Sequence, residues 1–278
     1  MRLLSVIGIL AVGLMSALPV VAQGRPDNVV VTRGGSNELL IPAAASAQGA
    51  NGTFFRSEIN ILNYTSRTQR IRMRWLPNGQ PASTDTVDVT LGAFQGLSSD
   101  DFVATILHKS GVGAIIATGV TPDGSLVDGT ARLYATDRVW TPQPGSTGTV
   151  SQSFSVLQTN ELNGGKSMSL IGLRRDEGFR VNAGIVNLAF SPQTFQVVVA
   201  GRNPTLIAET YTLTVGAESM AQFNMPGIAQ PDLQIVITNI TAAATLSNKW
   251  VGYGSSVDNV TGDSWSELAF VPNIDTAP

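Results

Sequence analysis

Alternation of apolar and polar residues with a period of two is the main pattern along the chain. Residues 70–75 read Arg-Ile-Arg-Met-Arg-Trp, and residues 87–91 read Val-Asp-Val-Thr-Leu. In a β-strand this places the apolar set on one face and the polar set on the other. Similar runs lie at 59–62, 113–118, 131–140, 195–200, 210–215, 233–238 and 250–257. Turn residues separate them at intervals of roughly 8–12 residues, which predicts an all-β protein of antiparallel sheets.

One segment, residues 98–109, predicts a short helix. Ser98 or Ser99 is the expected N-cap, and Asp100 and Asp101 lie where the positive end of the helix favours carboxylates. His108 then falls near the helix C-terminus.

The chain contains an internal repeat. Residues 55–63 (FRSEINILN) align without gaps on residues 179–187 (FRVNAGIVN), and the same offset carries 90–93 (TLGA) onto 214–217 (TVGA). A slightly smaller offset aligns Tyr134 with Tyr253. The repeat predicts two tandem β-sandwich domains, residues 23–140 and 151–278, joined by a Pro- and Gly-rich linker at 141–150. Each has the usual size of an immunoglobulin-like sandwich.

Four segments resemble a pattern in secreted bacterial proteins that are built from tandem immunoglobulin-like β-sandwich repeats. They are residues 179–187, Gly172-Leu173, residues 148–152 and residues 257–263. The resemblance covers most of residues 38–272 and implies an immunoglobulin-like fold and an exported location. That family has no assigned activity, so the resemblance transfers no catalytic residue. The first half departs from the pattern, since Ser57-Glu58 stands where the second half has Val181-Asn182.

The N-terminus has the features of a secretory signal peptide, residues 1–22. Arg2 precedes an apolar run from residue 3 to 21, and Val20 and Ala22 form a small-residue cleavage site. The alternative is a membrane anchor, because the run has about the length of a short spanning helix. No later segment has 18 uninterrupted apolar residues, so we expect no membrane span in the mature chain. A secreted location follows, in the periplasm, at the cell surface or in the medium.

Composition excludes several classes of site. The chain has no Cys and one His, which excludes disulfides, thiolate nucleophiles and metal sites with several histidines. A Ser-His-Asp triad would depend on His108. The net charge of -3 and the pI of about 5.2 argue against nucleic-acid binding. The carboxylate pairs Asp100-Asp101 and Asp176-Glu177 fit turns and caps, and the aromatic content of 6% is low for a glycosidase cleft. We therefore expect no enzymatic activity.

Two groups of residues are candidate binding sites. Asp258, Asn259 and Asp263 offer oxygen ligands for calcium within one loop, although the same residues make an ordinary hairpin turn. Arg70, Arg72 and Arg74 form a basic stripe on one strand face, about 7 Å between neighbours. The stripe suits an anionic partner, or it is the solvated face of a strand.

The sequence predicts an exported, non-catalytic binding or structural protein of the bacterial envelope that engages a protein partner and needs no cofactor. The first alternative is a carbohydrate-binding module, which requires exposed aromatic side chains beside polar groups on one sheet face. Burial of Trp75, Trp140, Trp250 and Trp265 would count against that alternative. A periplasmic chaperone that binds by strand addition is the third candidate. For the repeated Phe, Arg and Asn we expect a structural role: a core Phe, an Arg stem packed on the sheet edge, and an Asn that ends a strand.

Overall fold

Antiparallel β-strands make up almost all of the regular structure. The computed structural model describes residues 35–49, 52–143, 145–162, 167–201, 207–225, 230–242 and 248–271. The first half of the chain contains β1 (Glu38–Gln48), β2 (Phe54–Asn63), β3 (Gln69–Pro77), β4 (Thr86–Leu91), β5 (Gly96–Ser99), α1 (Phe102–Thr105), β6 (Gly111–Val120), β7 (Leu133–Pro142), β8 (Thr149–Gln152) and β9 (Leu157–Gln158). The second half contains β10 (Ser167–Arg175), β11 (Phe179–Asn187), β12 (Gln193–Ala200), β13 (Ile207–Val215), β14 (Ser219–Asn224), β15 (Gln230–Asn239), β16 (Trp250–Asp258) and β17 (Ser264–Leu268). The predicted all-β class is confirmed. The predicted signal peptide lies outside the described residues.

The two halves repeat the same strand pairings. In the first half, the order of one sheet is β4-β3-β6-β1-β2-β7-β8, with β5 added on β2 and β9 on β1. In the second half, β10-β15-β12-β13 and β14-β11-β16-β17 form two sheets. The counterparts of β1, β6, β3 and β4 are therefore β10, β15, β12 and β13, and those of β5, β2, β7 and β8 are β14, β11, β16 and β17.

The strand register of the two halves corrects one part of the sequence alignment. Leu62 lies opposite Tyr134 in β7, and its counterpart Val186 lies opposite Val251 in β16. Tyr134 therefore corresponds to Val251, and its alignment with Tyr253 is wrong by two residues. Nothing in the local pattern fixes this offset, because the chain before β16 differs in length from the chain before β7.

Within the described ranges, three clusters of buried side chains form the core. The first lies within the first half and includes Ile59, Met73 and Ile115. The second lies between the two sheets of the second half and includes Ile185 and Trp250. The third cluster joins the halves, because both of them contribute side chains to it. Its members are Leu40, Ala43, Ala45, Leu76, Ala114, Ile116, Val139 and Phe154 from the first half, and Val186, Met220, Val251 and Tyr253 from the second. Apolar burial thus continues from one half into the other.

Two predicted segments differ from the structure. The predicted helix at 98–109 is a single turn, α1, capped by the Asp101 carboxylate, which accepts a hydrogen bond from the Ala104 amide at 3.3 Å. Ser98 and Ser99 belong to β5, because their backbone pairs with β2. The predicted linker at 141–150 supplies the end of β7 and the start of β8, which pair with each other. The two-domain division itself stays a prediction.

The described part of the chain contains no helix that is long and apolar enough to cross a membrane.

Candidate binding face

The first half has a shallow groove on the outward side of β2, β5 and β7. Its volume is about 360 Å³. We call this surface the end face and define it by its outward residues: Asn60, Leu62, Gly96, Ser98, Tyr134 and Thr136. Alternate residues of β2 such as Ile59 and Ile61 point the other way, into the core. The period-two pattern of β2 therefore leaves the end face to solvent or to a partner.

The counterpart of the end face in the second half is covered by protein. We call it the joining face and define it by the equivalent residues: Gly184, Val186, Met220, Gln222, Val251 and Tyr253. Four of the six belong to the core cluster that packs on the first half. Tyr253 is buried, and its hydroxyl donates a hydrogen bond to Gln222 Oε1 at 2.9 Å. Burial of this hydroxyl raises the Tyr253 pKa far above its ordinary value.

Backbone contacts also hold the joining face on the first half. The Gly79 amide donates to the Met220 carbonyl at 2.8 Å, and the Gln222 amide donates to Asn78 Oδ1 at 2.8 Å. Ser219 donates its hydroxyl to the Gln80 carbonyl at 2.6 Å. The tip of the β3–β4 hairpin thus adds to the open edge of β14.

Two exposed aromatic side chains lie beside the end face. Tyr64 follows β2 and is 61% exposed, and Phe94 precedes β5 and is 60% exposed. Their ring centroids are 6.3 Å apart with an edge-to-face angle of 82°. Aromatic rings this exposed are typical of surfaces that bind a partner. Neither residue was predicted from the sequence, since neither belongs to an alternating run.

The repeated asparagine has a structural role, as expected. Asn63 donates its amide to the carbonyls of Arg67 at 2.7 Å and Gly92 at 2.8 Å, and its Oδ1 accepts the Thr65 amide. Asn187 makes the same three bonds with the carbonyls of Ser191 and Gly216 and the amide of Ala189. Both are fully buried. Asn63 thus bonds the end of β2 to the turn before β5, and Asn187 bonds the end of β11 to the turn before β14.

The repeated Phe and Arg lie at the strand ends. Phe55 and Phe179 are half-buried: Phe55 packs against the core cluster between the halves and Phe179 packs against Trp265, so the expectation of a core Phe is met only in part. Arg56 lies over the Trp140 ring, 5.4 Å from its centroid, which agrees with an Arg stem packed on the sheet. Arg180 instead donates to Asn259 Oδ1 at 2.8 Å.

The arginine stripe is largely paired within the protein. Asp88 on β4 accepts hydrogen bonds from Arg70 Nε and Arg72 Nε, both at 2.9 Å, and these bonds lower the Asp88 pKa. Arg74 forms an ion pair with Glu218 of the second half. A cavity of about 210 Å³ beside Arg72 and Arg74 also contains Glu38. The stripe as an anion site stays a prediction, and its net positive charge is small.

The calcium candidate is a hydrogen-bonded hairpin turn. Asp258 Oδ1 accepts the amides of Val260 at 2.7 Å and Thr261 at 3.1 Å, which lowers the Asp258 pKa. Asp263 Oδ1 accepts the Ser264 amide at 2.9 Å, and Asn259 Oδ1 is bonded to Arg180. One side-chain oxygen of each candidate ligand thus already accepts a hydrogen bond within the protein. Among the described residues, no group of three His, Cys, Asp or Glu side chains lies close enough to hold a metal.

The residues considered for catalysis lie in turns and caps. His108 is exposed, with a φ of 55°. Asp101 caps α1 and contacts Arg56 at 3.7 Å. Asp176 accepts Arg174 Nε at 2.6 Å and the Gly178 amide at 2.9 Å, so it orders the β10–β11 turn. These contacts account for the carboxylates structurally.

Asp137 is a buried polar residue that the sequence analysis missed. Asp137 is 4% exposed, and neither carboxylate oxygen has a hydrogen-bond partner at normal geometry, although the Arg138 backbone amide lies near enough to offset part of the desolvation. Desolvation raises its pKa well above the ordinary value. The signal was available, because the alternation of β7 places residue 137 on the same face as Ala135 and Val139. Thr141 Oγ1, two positions beyond Val139, is also buried without a partner.

The four tryptophans divide into two groups. Trp75 and Trp250 are buried in the cores. Trp140 and Trp265 are half-buried, and each donates its indole N–H to a backbone carbonyl, of Asp100 and Gly172 respectively, at 2.9 Å. None of the four lies on the end face.

A scan against protein-family models found no match, and a search of curated proteins found no similar sequence.

Proposed function

We propose that the protein is an exported, non-catalytic binding or structural protein whose end face engages a protein partner. One observation supports this most directly: the joining face, the counterpart of the end face in the repeat, binds a protein β-sheet within the same chain. Because the two faces are built on equivalent strands, they offer a partner a sheet surface of the same strand order and register. We also propose that each half is an immunoglobulin-like sandwich, in line with the resemblance to tandem repeats of secreted bacterial proteins.

The composition of the end face supports a separate partner. The joining face presents Val186, Met220 and Val251, and the end face presents Leu62, Gly96 and Tyr134 in their places. The mixture of polar and aromatic groups is typical of surfaces that are exposed before they bind. A permanently buried interface is more apolar, as the joining face is.

A carbohydrate ligand is the second candidate. Tyr64 and Phe94 are exposed beside polar groups on one sheet face, such as Asn60 and Thr136, and this arrangement suits stacking on a sugar ring. A chaperone-like role is the third candidate, and it requires cations free to hold a peptide carboxylate. Arg74 is paired with Glu218, and Lys249 donates to the Thr159 carbonyl at 2.7 Å, so this candidate has the least support.

The proposal places the protein in the periplasm, at the cell surface or outside the cell, as the predicted signal peptide indicates. It requires no cofactor, and calcium at Asp258 is a separate hypothesis with its own test.

A capture experiment tests the proposal. The purified chain without its predicted signal peptide is incubated with envelope extract of the producing organism, with and without protease digestion of the extract. We expect protease-sensitive material to bind the native chain and a Val260→Glu control, and to be lost with Phe94→Glu. Val260 is 89% exposed and lies away from the end face, in the β16–β17 turn. Capture of protease-resistant polysaccharide through Phe94 would contradict the proposal and favour the carbohydrate alternative.

A further inference from the structure

We propose that the partner of the end face is a second copy of this chain, which docks through the outward side of β12 and β15. This inference rests on the proposed function, since it names the partner of the same face. The protein would then associate head to tail, and each contact would repeat the interface that already joins its two halves.

The surface that would dock is the counterpart of the one that receives the joining face. We call it the far face and define it by its residues: Gln196, Val198, Gln234 and Val236. Their counterparts in the first half are Arg72, Arg74, Ala114 and Ile116, and Arg74 pairs with Ile116 as Val198 pairs with Val236. Val197 and Val199 point into the core, so Val198 points away from it. Val198 and Val236 are half-buried and uncharged neighbours.

The strongest support is that the charged pair of the internal interface is replaced by apolar residues at both the end face and the far face. Within the chain, Arg74 on the receiving sheet pairs with Glu218 at the edge of the joining face. The far face has Val198 at the position of Arg74, and Phe94 stands beside the end face at the position of Glu218. Phe94 and Glu218 occupy the same turn conformation, with φ values of 55° and 43°. An ion pair in the internal interface is therefore replaced on both free faces by apolar side chains, which are complementary to each other.

Two further contacts of the internal interface have counterparts beside the end face. Tyr64 stands at the position of Leu188, which packs against the core cluster between the halves. Among the described residues, β5 pairs only with β2, so its other edge is open, whereas the equivalent edge of β14 accepts the β3–β4 hairpin. The end face thus presents an aromatic pair and a strand edge where the joining face uses an aliphatic side chain and a strand edge.

The geometry of such a contact predicts open association. The end face and the far face are different surfaces, so the contact is heterologous and does not close at a dimer unless a rotation brings the ends together. Two copies leave one end face and one far face free, and a third copy can add. Average mass should therefore rise continuously with concentration.

Sedimentation velocity on the purified chain tests this from micromolar to near-millimolar concentration. We expect the weight-average sedimentation coefficient to rise past the dimer value. Phe94→Glu and Val198→Arg should each weaken association at least about tenfold, because a charge then faces an apolar surface. An equimolar mixture of these two variants should restore open association, because the two substituted faces recreate the Glu–Arg pair of the internal interface and the two unsubstituted faces keep the native Phe–Val contact. Val260→Glu is the matched control and should behave as the native chain. Far-UV circular dichroism and melting temperature report whether each variant is folded.

Two results would overturn the inference. One is a single sedimenting species at all concentrations, and the other is association that neither variant weakens. If the pure protein stays monomeric but Phe94 is still needed to capture an envelope protein, self-association is wrong and the proposed function stands. If neither experiment depends on Phe94, both fail.

Discussion

Replacing Asp137 with asparagine tests the consequence of a carboxyl group that is buried without a partner. Asp137 lies on β7 opposite Ile59 of β2, and both face the interior. Its counterpart in the second half is Gly254, where an added side chain would run into Leu173. Asparagine has nearly the same shape as the protonated carboxyl but does not ionise. The substitution therefore removes the charge and leaves the packing almost unchanged.

The change of folding stability with pH follows from the direction in which the Asp137 pKa is shifted. Burial raises the Asp137 pKa in the folded protein, whereas the unfolded chain ionises near the reference value of about 3.9. Below about pH 4 both states are protonated, and the residue carries no pH-dependent cost. Above it, the unfolded state gains from ionisation, so stability falls by about 1.4 kcal/mol per pH unit until the folded-state pKa is reached.

Urea denaturation between pH 4 and pH 8 measures this cost. We expect Asp137→Asn to gain stability relative to the native chain as the pH rises, since the difference between the two cancels the other carboxylates. Asp88→Asn is the matched control, because its arginine partners lower the Asp88 pKa. Its stabilising charge is fully present above the unfolded pKa of about 3.9 and is lost only below it, so the cost of Asp88→Asn should stay constant from about pH 5 to pH 8. A constant difference between Asp137→Asn and the native chain at every pH would refute the reasoning.

Three further predictions concern the turn, the ion pair between the halves and calcium. Asn63→Ala and Asn187→Ala should each lower the free energy of unfolding by about 2–4 kcal/mol in urea titrations, since each leaves buried carbonyls unpaired; losses below about 1 kcal/mol would contradict this. Glu218→Ala should cost about 1 kcal/mol, and 1 M NaCl should reduce the difference, because the pair with Arg74 is partly exposed to solvent; a loss that salt leaves unchanged would speak against the pair. Millimolar calcium should not change the melting temperature, because the loop oxygens already accept hydrogen bonds; a saturable rise that Asp263→Asn abolishes would contradict this.

The sequence predicted β6 and β16 but missed β1, although all three are buried along most of their length. β3 alternates Arg and apolar residues, and it was identified from this pattern. β1 is buried along most of its length: Leu39 and Ile41 face the core of the first half, and Leu40 faces the core between the halves. Alternation cannot appear in a strand that lies between two cores. The predicted helix at 98–109 was too long. Residues 96–99 pair with β2 as strand β5, so only the single turn of α1 remains.

The repeat was visible in the sequence, but the difference between its copies was not. The alignment of 55–63 with 179–187 identified equivalent strands. It could not show that Val186 is covered by the first half and that Leu62 is not, because both are apolar and only the packing of the halves decides. The importance of Phe94 and Val198 depends on the same packing, since each is defined by its counterpart in the internal interface.

Site-specific photo-crosslinking in the producing cells is the most direct test of a protein-binding end face. A photoreactive phenylalanine analogue is placed at position 134, in the end face, or at position 260, in the β16–β17 turn. We predict protease-sensitive crosslinked species from position 134 that are absent from position 260, with mass spectrometry naming the partner. Crosslinking to protease-resistant polysaccharide, or equal crosslinking from both positions, would contradict the account.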